Sequence, residues 1–337
     1  MKRWKLLAPV SAALVVTAVA GLASQAAGKN EQKKQVRMAV FLASAANTYW
    51  TAALQGVKDA ASKQGNVKLT VFDGQFNTNK QINQLRDALV SKKFDAWFVG
   101  PNDGGPLTPT IKRAIKQNVK VACTLVPCGP NIRNPKVQIP GVVAQIGIGF
   151  YPNGKILGRL TVKACGNQNP CKVVWLPGLP SLPLEKARTD GLYSVIKPHK
   201  NIKVVSVQAG GYLAAPALTA TQNILQAHPD VNVIVSSGDQ MIAGAYRAAR
   251  AKGLDKKIKM FGNGCTFEAK RDILAGHVYG CAVYLPRTEA RIAATYLIKD
   301  VRGASIKNKY IDPLKFSNIG PIGTKANIGR FKPEFHS

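Results

Sequence analysis

The amino-acid sequence predicts an α/β protein in which doubly wound parallel sheets form two domains. Apolar, β-rich runs alternate with amphipathic segments from residue 36 to residue 301. The runs are about six residues long and apolar almost throughout, which is typical of parallel strands buried on both faces. With 337 residues the chain is longer than one hydrophobic core usually supports, so we expect two domains.

The first half begins with a strand at 36–42 and a helix at 49–64. Ala53, Val57 and Ala61 lie on one face of that helix, as the three- and four-residue spacing of a helix requires. Further strands are predicted at 67–72, 96–99, 119–125 and 142–148, and further helices across 82–89, at 107–117 and at 153–164.

The second half repeats this alternation. Strands are predicted at 172–176, 203–207, 231–236, 257–261 and 279–285, and helices at 184–197, 214–226, 240–251, 267–274 and 287–301. Ligands bind such sheets in the crevice beyond the carboxyl ends of the strands. The loops that follow the strands hold most of the Gly, Pro and Asn, although turn chemistry explains much of that enrichment without any function.

Residues 1–26 have the layout of a secretory signal peptide. Lys2, Arg3 and Lys5 form a positive region, residues 6–20 are almost wholly apolar, and small residues follow. The apolar run is short for a membrane-spanning helix, so an uncleaved anchor is the less favoured alternative. We expect this segment to be cleaved and the mature protein to be secreted into the periplasm.

The six cysteines form three local pairs along the sequence. In an oxidising compartment such short separations favour disulfides. A metal site is the alternative, but it needs CxxC-type spacing or neighbouring histidines, and only His277 lies near a cysteine. We therefore expect no metal. The predicted disulfides are Cys123–Cys128, Cys165–Cys171 and Cys265–Cys281.

The formal net charge of +30 is high for a protein of this size. The basic residues are spread singly through the predicted helices, without a long run or a basic stripe interleaved with aromatic residues. This distribution, together with export, argues against nucleic acid as a partner. It is typical of a solvated basic surface, which favours encounter with acidic ligands or with an anionic membrane face.

The sequence lacks a motif for catalysis or for a cofactor. Residues 149–155 fit the first seven positions of a phosphate-binding loop, but Ile156 stands where Ser or Thr would ligate magnesium. The Gly-x-Ser-x-Gly motif of acyl-transfer enzymes is absent. The four histidines lie next to turns or in the tail, without an obvious acid and nucleophile beside them. We therefore expect a protein that is not an enzyme and that needs no cofactor.

Five short segments, in their order and spacing, resemble one protein family. The chain is similar to periplasmic sugar-binding proteins of the ribose/galactose type, the type I solute-binding proteins of ABC importers. The resemblance covers residues 36–313. It depends on Ala-Ala-Asn-Thr-Tyr-Trp at 45–50, Lys-Ala-Arg-Thr-Asp-Gly-Leu at 186–192, Ala-His-Pro-Asp-Val at 227–231, Ser-Ser-Gly-Asp-Gln-Met at 236–241 and Phe-Gly-Asn-Gly at 261–264.

The resemblance implies two similar doubly wound lobes joined by a three-segment hinge, with the ligand enclosed between them. The crossings are expected near 147–151, 284–287 and 316–320. The N-terminal lobe would then hold residues 36–147 and 286–316, and the C-terminal lobe residues 150–284 and 318–337.

The resemblance also implies ligand contacts on the N-terminal lobe. Asn47, Tyr49 and Trp50 fall where the family has a polar contact and stacking aromatics. An aromatic face suits the C–H face of a ring while an amide holds its polar edge. The alternative is that Tyr49 and Trp50 form only the inner face of the first helix.

Further contacts are implied on the other lobe. Of two basic positions, Lys186 is expected to contact the ligand and Arg188 to be mainly structural. For Asp239 the alternative is a role as the N-cap of its helix. The implied ligand-binding residues are Asn47, Tyr49, Trp50, Lys186, Arg188, Tyr212, Asp239, Asn263 and Tyr284.

The sequence departs from the family where sugar hydroxyls are usually held. Val126-Pro127 stands in place of an Asp-Arg pair, Gly238 in place of Asn, Asn263 in place of Asp and Tyr284 in place of Gln. A common pentose or hexose in the usual pose is therefore doubtful. A less hydroxylated, more aromatic or acidic ligand becomes credible.

The expected function is capture of a small polar, sugar-like solute and its delivery to an ABC importer by domain closure. The expected partners are the ligand and a membrane permease, with the ATPase on a separate chain and the binding protein itself a monomer. The alternatives are a sensory binding protein that docks on a membrane receptor and a receptor for a non-sugar aromatic or acidic ligand.

Overall fold

The computed structural model describes residue 1, residues 33–307 and residues 309–337. Apart from Met1, the predicted signal peptide lies outside the described residues. Residues 34–337 form one compact unit. Over the described ranges, no helix combines the length and apolarity that crossing a membrane requires.

Strands and helices alternate in the first part of this unit, as predicted. The elements are β1 (Val36–Leu42), α1 (Thr48–Gln64), β2 (Val67–Asp73), α2 (Thr78–Ser91), β3 (Ala96–Val99), α3 (Gly104–Lys116), β4 (Lys120–Thr124) and β5 (Ala144–Ile146).

The alternation continues in the second part. The elements there are α4 (Phe150–Cys165), β6 (Cys171–Leu176), α5 (Pro183–Ile196), β7 (Ile202–Val207), α6 (Ala214–Ala227), β8 (Val233–Ser236), α7 (Asp239–Ala251), β9 (Lys259–Gly264), α8 (Phe267–Ala275) and β10 (Gly280–Val283).

The last part of the chain returns to both sheets. Its elements are α9 (Pro286–Val301), β11 (Lys309–Ile311), a 3₁₀ turn at Pro313–Phe316, β12 (Ile322–Thr324) and a second 3₁₀ turn at Ile328–Arg330. The sequence analysis missed β11, β12 and both 3₁₀ turns because three- or four-residue elements carry too little periodicity to detect.

Within the described ranges two six-stranded sheets result, and their topology confirms the predicted α/β class. The first sheet has the order β11-β5-β4-β3-β1-β2 and is parallel throughout. The second has the order β12-β10-β9-β8-β6-β7, with β12 antiparallel to β10. We call the first sheet with α1, α2, α3 and α9 the first lobe, and the second sheet with α4 to α8 the second lobe.

The chain passes between the sheets three times. It leaves the first sheet after β5, returns after β10 and leaves again after β11. The C-terminal segment contacts both lobes, although residues 318–337 were assigned to one. Ile328 and Phe331 pack in the core of the second lobe, whereas Phe335 packs with Tyr49 and Trp50 in the core of the first.

Local interactions fix where the elements begin and end. Asn47 caps α1 by accepting a hydrogen bond from the Tyr49 backbone N–H, and Asn77 caps α2 through the N–H of Lys80. Leu125 has a φ of 59° and turns the chain out of β4. The cysteines form the three predicted disulfides, so that prediction is confirmed.

Close helix packing depends on a glycine in the middle of α1. A Cβ atom at Gly56 would lie 2.1 Å from the backbone oxygen of Arg287 in α9. We expect Gly56→Ala to lower the free energy of unfolding by about 1–3 kcal/mol, although alanine favours a helix. Urea denaturation measures this change. Gly329→Ala is the control, because no atom lies within 4 Å of its added Cβ. A Gly56→Ala protein as stable as the control would contradict the packing.

Candidate ligand-binding cleft

A cavity lies between the two lobes, at the carboxyl ends of the strands of both sheets. The first lobe lines it through the loops after β1 to β4, and the second through the loops after β6 to β10 and the start of α4. Phe335 from the C-terminal segment closes one side. The cavity has a volume of about 60 Å³. One water needs roughly 10–15 Å³ on the same measure, so the cavity suits a small solute.

Two aromatic side chains are placed in the cleft by glycines at strand ends. The indole ring of Trp50 covers Gly100 just after β3, where a Cβ would lie 2.2 Å from the ring. The ring of Tyr212 covers Gly178 just after β6, where a Cβ would lie 2.1 Å from it. Each lobe therefore uses a missing side chain at a strand end to position an aromatic ring.

The lobes touch each other across the cleft. The Asn47 side-chain amide donates to the backbone oxygen of Tyr212 at 3.3 Å. The Gln240 amide donates to the hydroxyl of Thr48 at 2.8 Å. The rings of Phe76 and Tyr212 stack with their centroids 5.8 Å apart. These contacts exist only when the lobes are close together, so the structure corresponds to a closed arrangement.

The centre of the second lobe's side of the cleft is a buried ion pair. Arg188 pairs with Glu185, and their side chains are 3% and 2% exposed. Arg188 also donates to the side-chain amide oxygen of Asn153 at 2.9 Å and to the hydroxyls of Tyr212 at 3.0 Å and Tyr284 at 3.4 Å. Burial opposes the charge of Arg188, but Glu185 and the tyrosines outweigh it and keep the pKa of Arg188 well above its ordinary value.

Glu185 uses both of its oxygens within the protein. One accepts hydrogen bonds from Arg188 and from the Tyr212 hydroxyl. The other accepts from the Gly178 backbone N–H at 3.1 Å and from the Ser237 hydroxyl at 2.6 Å. Burial and this carboxylate raise the pKa of Tyr212 well above its ordinary value, so Tyr212 remains a neutral donor. The pair therefore adds no net charge to the cavity.

Unlike Glu185, Asn102 has a side chain whose hydrogen-bonding atoms are not used within the described part of the protein. It lies directly after β3, is 1% exposed and lines the cavity. Its backbone N–H donates to the side-chain amide oxygen of Gln81 at 2.8 Å, which fixes the loop. Both of its side-chain amide atoms lack a hydrogen-bond partner among the described residues. A buried, unpaired amide at the mouth of a strand is suited to binding a ligand.

Seven of the nine predicted residues line the cavity, and two do not. Lys186 points away from the cavity, with its side chain 79% exposed and its ammonium 3.0 Å from Asp190. Lys186, which was expected to contact the ligand, therefore does not line the cavity. Arg188, which was expected to be mainly structural, lines it as part of the buried ion pair, because helix positions two apart face different directions. The residues that reach the cavity are Asn47, Tyr49, Trp50, Arg188, Tyr212, Asn263 and Tyr284.

Asp239 also lies outside the cavity and is not the N-cap of α7, since that position is Gly238. Its carboxylate instead accepts from the backbone N–H of Thr266 at 3.1 Å, where α8 begins. The sequence analysis missed several lining residues. Asn102, Phe76 and Ser237 lie in loops that follow predicted strands, which indicated a place near the cleft. No feature of the sequence around Phe335 indicated that it lines the cavity. The missed residues also include Phe150, Leu182, Leu184 and Gln240.

The position of Asp239 predicts a pH-dependent stability. Burial raises the pKa of Asp239 to about 7, against hydrogen bonds from Thr266 and Cys265 that lower it. Between its ordinary pKa of 3.8 and about 7, the folded protein keeps a proton that the unfolded chain has released. This group's contribution to stability is therefore present at low pH and is lost as the pH rises through that window.

We expect Asp239→Asn to remove this loss, because an amide does not ionise. The melting temperature of the variant should exceed that of the unmodified protein most at pH 8. This difference in melting temperature should become smaller towards pH 5. Melting curves at pH 5, 6, 7 and 8 measure it. Asp87→Asn, on the exposed face of α2, is the control. A difference in melting temperature that does not change with pH would contradict the raised pKa of Asp239.

Comparisons with known proteins agree with this architecture. Residues 38–305 match the family model for the periplasmic binding protein domain. The chain is 25% identical to the ribose import binding protein of Escherichia coli (strain K12) over 304 residues, which cover 90% of this chain and 96% of that protein. It is 24% identical to the ribose import binding protein of Bacillus subtilis (strain 168) over 243 residues, 72% of this chain and 73% of that protein.

Solved structures show the same fold. The Caulobacter myo-inositol binding protein bound to myo-inositol superposes with a TM-score of 0.75 at 25% identity, covering 89% of this chain and 96% of that one. A periplasmic solute-binding protein of an ABC transporter from Actinobacillus succinogenes, with bound D-allose, gives a TM-score of 0.74 at 22% identity, covering 88% and 100%.

Proposed function

The chain belongs to the periplasmic binding protein family, and from this premise we propose that it captures a small uncharged solute between its lobes and presents it to a membrane importer. The observation that carries the proposal is the enclosed cleft, which is lined by residues of both lobes. The proposal includes export of the mature protein to the periplasm, a permease as the membrane partner and no chemical step.

The residues of the cleft support an uncharged, ring-shaped solute. Relatives named for ribose import, and solved structures with bound D-allose or myo-inositol, support a ring that carries hydroxyl groups. Trp50 and Tyr212 offer aromatic faces for such a ring. Arg188 is neutralised by Glu185, so this side chain offers an acidic solute no unpaired positive charge. This argues against the acidic ligand considered above.

Closure of the lobes supports the transport mechanism. A solute held by Asn102 and Trp50 of the first lobe and by Arg188 and Asn263 of the second makes its full set of contacts only in the closed form. It can shift the equilibrium between open and closed forms only by its difference in affinity for them. The lobe surfaces that a membrane partner contacts would then report whether the cleft is occupied.

The first test combines a solute panel with small-angle scattering. Calorimetry against D-ribose, D-allose and myo-inositol, with further neutral rings, identifies the solutes that bind. A bound solute should be recovered unchanged and should lower the radius of gyration by closing the lobes. Trp50→Ala should weaken binding by roughly tenfold to a hundredfold, as expected for loss of a stacked ring. A saturating solute that is chemically altered, or that leaves the radius of gyration unchanged, would contradict the proposal.

A second test concerns a contact that holds the lobes together outside the cavity. Arg133, in the long loop between β4 and β5, pairs with Asp190 in α5 and lies 5.1 Å from the ring centre of Tyr151 in α4. Beside it, Ile132 packs on an apolar cluster that includes Leu184 of the second lobe. The pair therefore stabilises the closed form only.

We expect Arg133→Gln to weaken solute binding by roughly twofold to fivefold, the usual range for a partly exposed ion pair. The effect should diminish at high salt because the pair is screened. The control is Arg271→Gln, which breaks a pair with the adjacent Asp272 within the second lobe. Calorimetry with a solute from the panel measures both variants. Equal affinities for the Arg133 variant and the unmodified protein would show that the pair does not contribute to closure.

A further inference from the structure

We infer that the cleft selects an uncharged ring with few hydroxyl groups, whose hydrogen-bonding groups lie together on one edge, and that Asn102 recognises that edge. This inference rests on the proposed solute capture and specifies its ligand class. It separates the protein from receptors for fully hydroxylated sugars.

The amide of Asn102 defines what the ligand must offer. Its oxygen accepts hydrogen bonds and its nitrogen donates them, and neither atom has a partner in the described part of the chain. The residue is 1% exposed and lines the cavity, so in the closed form a partner for this amide has to lie inside the cavity, where a bound solute is within reach. A neighbouring donor and acceptor on one edge of a ring, such as two adjacent hydroxyls, would pair with both atoms.

Several other polar groups in and behind the cavity wall are already hydrogen-bonded within the protein. Asn263 accepts from Asn153 at 2.8 Å and donates to the Ser237 backbone oxygen at 3.1 Å. Asn47 accepts from the Tyr49 N–H at 3.0 Å and donates to the backbone oxygen of Tyr212. Both oxygens of Glu185 already accept two hydrogen bonds each.

A solute therefore finds few acceptors for its hydroxyl protons. Each buried hydroxyl that loses its water partners without replacement weakens binding by roughly a factor of ten. Much of the remaining wall cannot replace water, because it consists of apolar side chains. These are Leu125, Val126, Phe150, Leu182, Leu184 and Phe335.

A ring with a polar edge towards Asn102 and apolar carbons elsewhere pairs with the amide and leaves no hydroxyl against the apolar wall. Its carbons would pack on the apolar wall and between the aromatic side chains. A ring hydroxylated on every carbon would satisfy Asn102 equally well, but it would leave several hydroxyls facing Val126 and Phe150. The cleft thus favours the ring with fewer hydroxyls.

The test compares rings of one size that differ only in hydroxyl number. Calorimetry measures the affinities of the mature protein for cis-1,2-cyclohexanediol, cyclohexanol and myo-inositol. We expect the diol to bind at least roughly tenfold more tightly than myo-inositol, because the hexol buries unpaired hydroxyls. The diol should also bind more tightly than cyclohexanol, which offers one hydroxyl to an amide that needs two partners.

Substitution of Asn102 tests its role separately. Asn102→Leu should remove the preference for the diol over cyclohexanol without lowering the melting temperature, because it replaces an unpaired buried amide by an apolar group of similar shape. Asn153→Leu is the matched control. Its amide is fully buried and hydrogen-bonded to Asn263 and Arg188, so its loss should lower the melting temperature.

The possible results separate the two proposals. Tighter binding of myo-inositol than of the diol overturns the inference and leaves solute capture intact. A diol preference that persists in Asn102→Leu, or a melting temperature that falls as far as in Asn153→Leu, overturns the role of Asn102. If none of the three rings binds, the inference also fails, and the solute panel with small-angle scattering decides solute capture independently.

Discussion

The buried ion pair of Arg188 and Glu185 is the interaction on which the cleft depends. Removing two charges from water is costly, and such a pair persists only when the remaining donors and acceptors are satisfied. Here the partners come from α4, from the loops after β6, β7 and β8, and from Tyr284 at a crossing between the sheets. Loss of either charge would leave the other buried and unpaired, at a cost of about 3–5 kcal/mol. The pair thus fixes the second lobe's side of the cleft and makes it electrically neutral.

The first lobe contributes an aromatic ring to the cleft, not an ion pair. Gly100 makes room for the ring of Trp50, as Gly178 does for Tyr212 on the second lobe, so the two sheets share one device for presenting an aromatic ring. Tyr49 is held behind Trp50 by donating its hydroxyl proton to Glu289 at 2.9 Å. Burial raises the pKa of Glu289 well above its ordinary value, which keeps this carboxyl from adding a charge to the first lobe.

The features that could be predicted from the sequence are those that depend on residues close together along the chain. The long strands and amphipathic helices were readable because their periodicity comes from burial within one segment, and the disulfides because their cysteines are close in sequence. Which of Lys186 and Arg188 reaches the cavity could not be predicted, because it depends on which face of α5 meets Asn153. Phe335 reaches the cavity only after the chain has crossed between the sheets. The unpaired state of Asn102 becomes visible only when every neighbouring donor and acceptor has been placed.

Surface charge and cleft charge are separate properties of this protein. In the described part of the chain, basic side chains such as that of Lys186 are exposed, while Arg188, which lines the cavity, is neutralised by Glu185. In physiological salt an exposed charge is screened over about 8 Å, and an uncharged solute offers nothing for it to attract. The basic surface therefore does not select the ligand. Its electrostatic effect is available for anionic surfaces, such as an anionic membrane face. Encounter with the membrane and recognition of the solute can then change independently, because they depend on different residues.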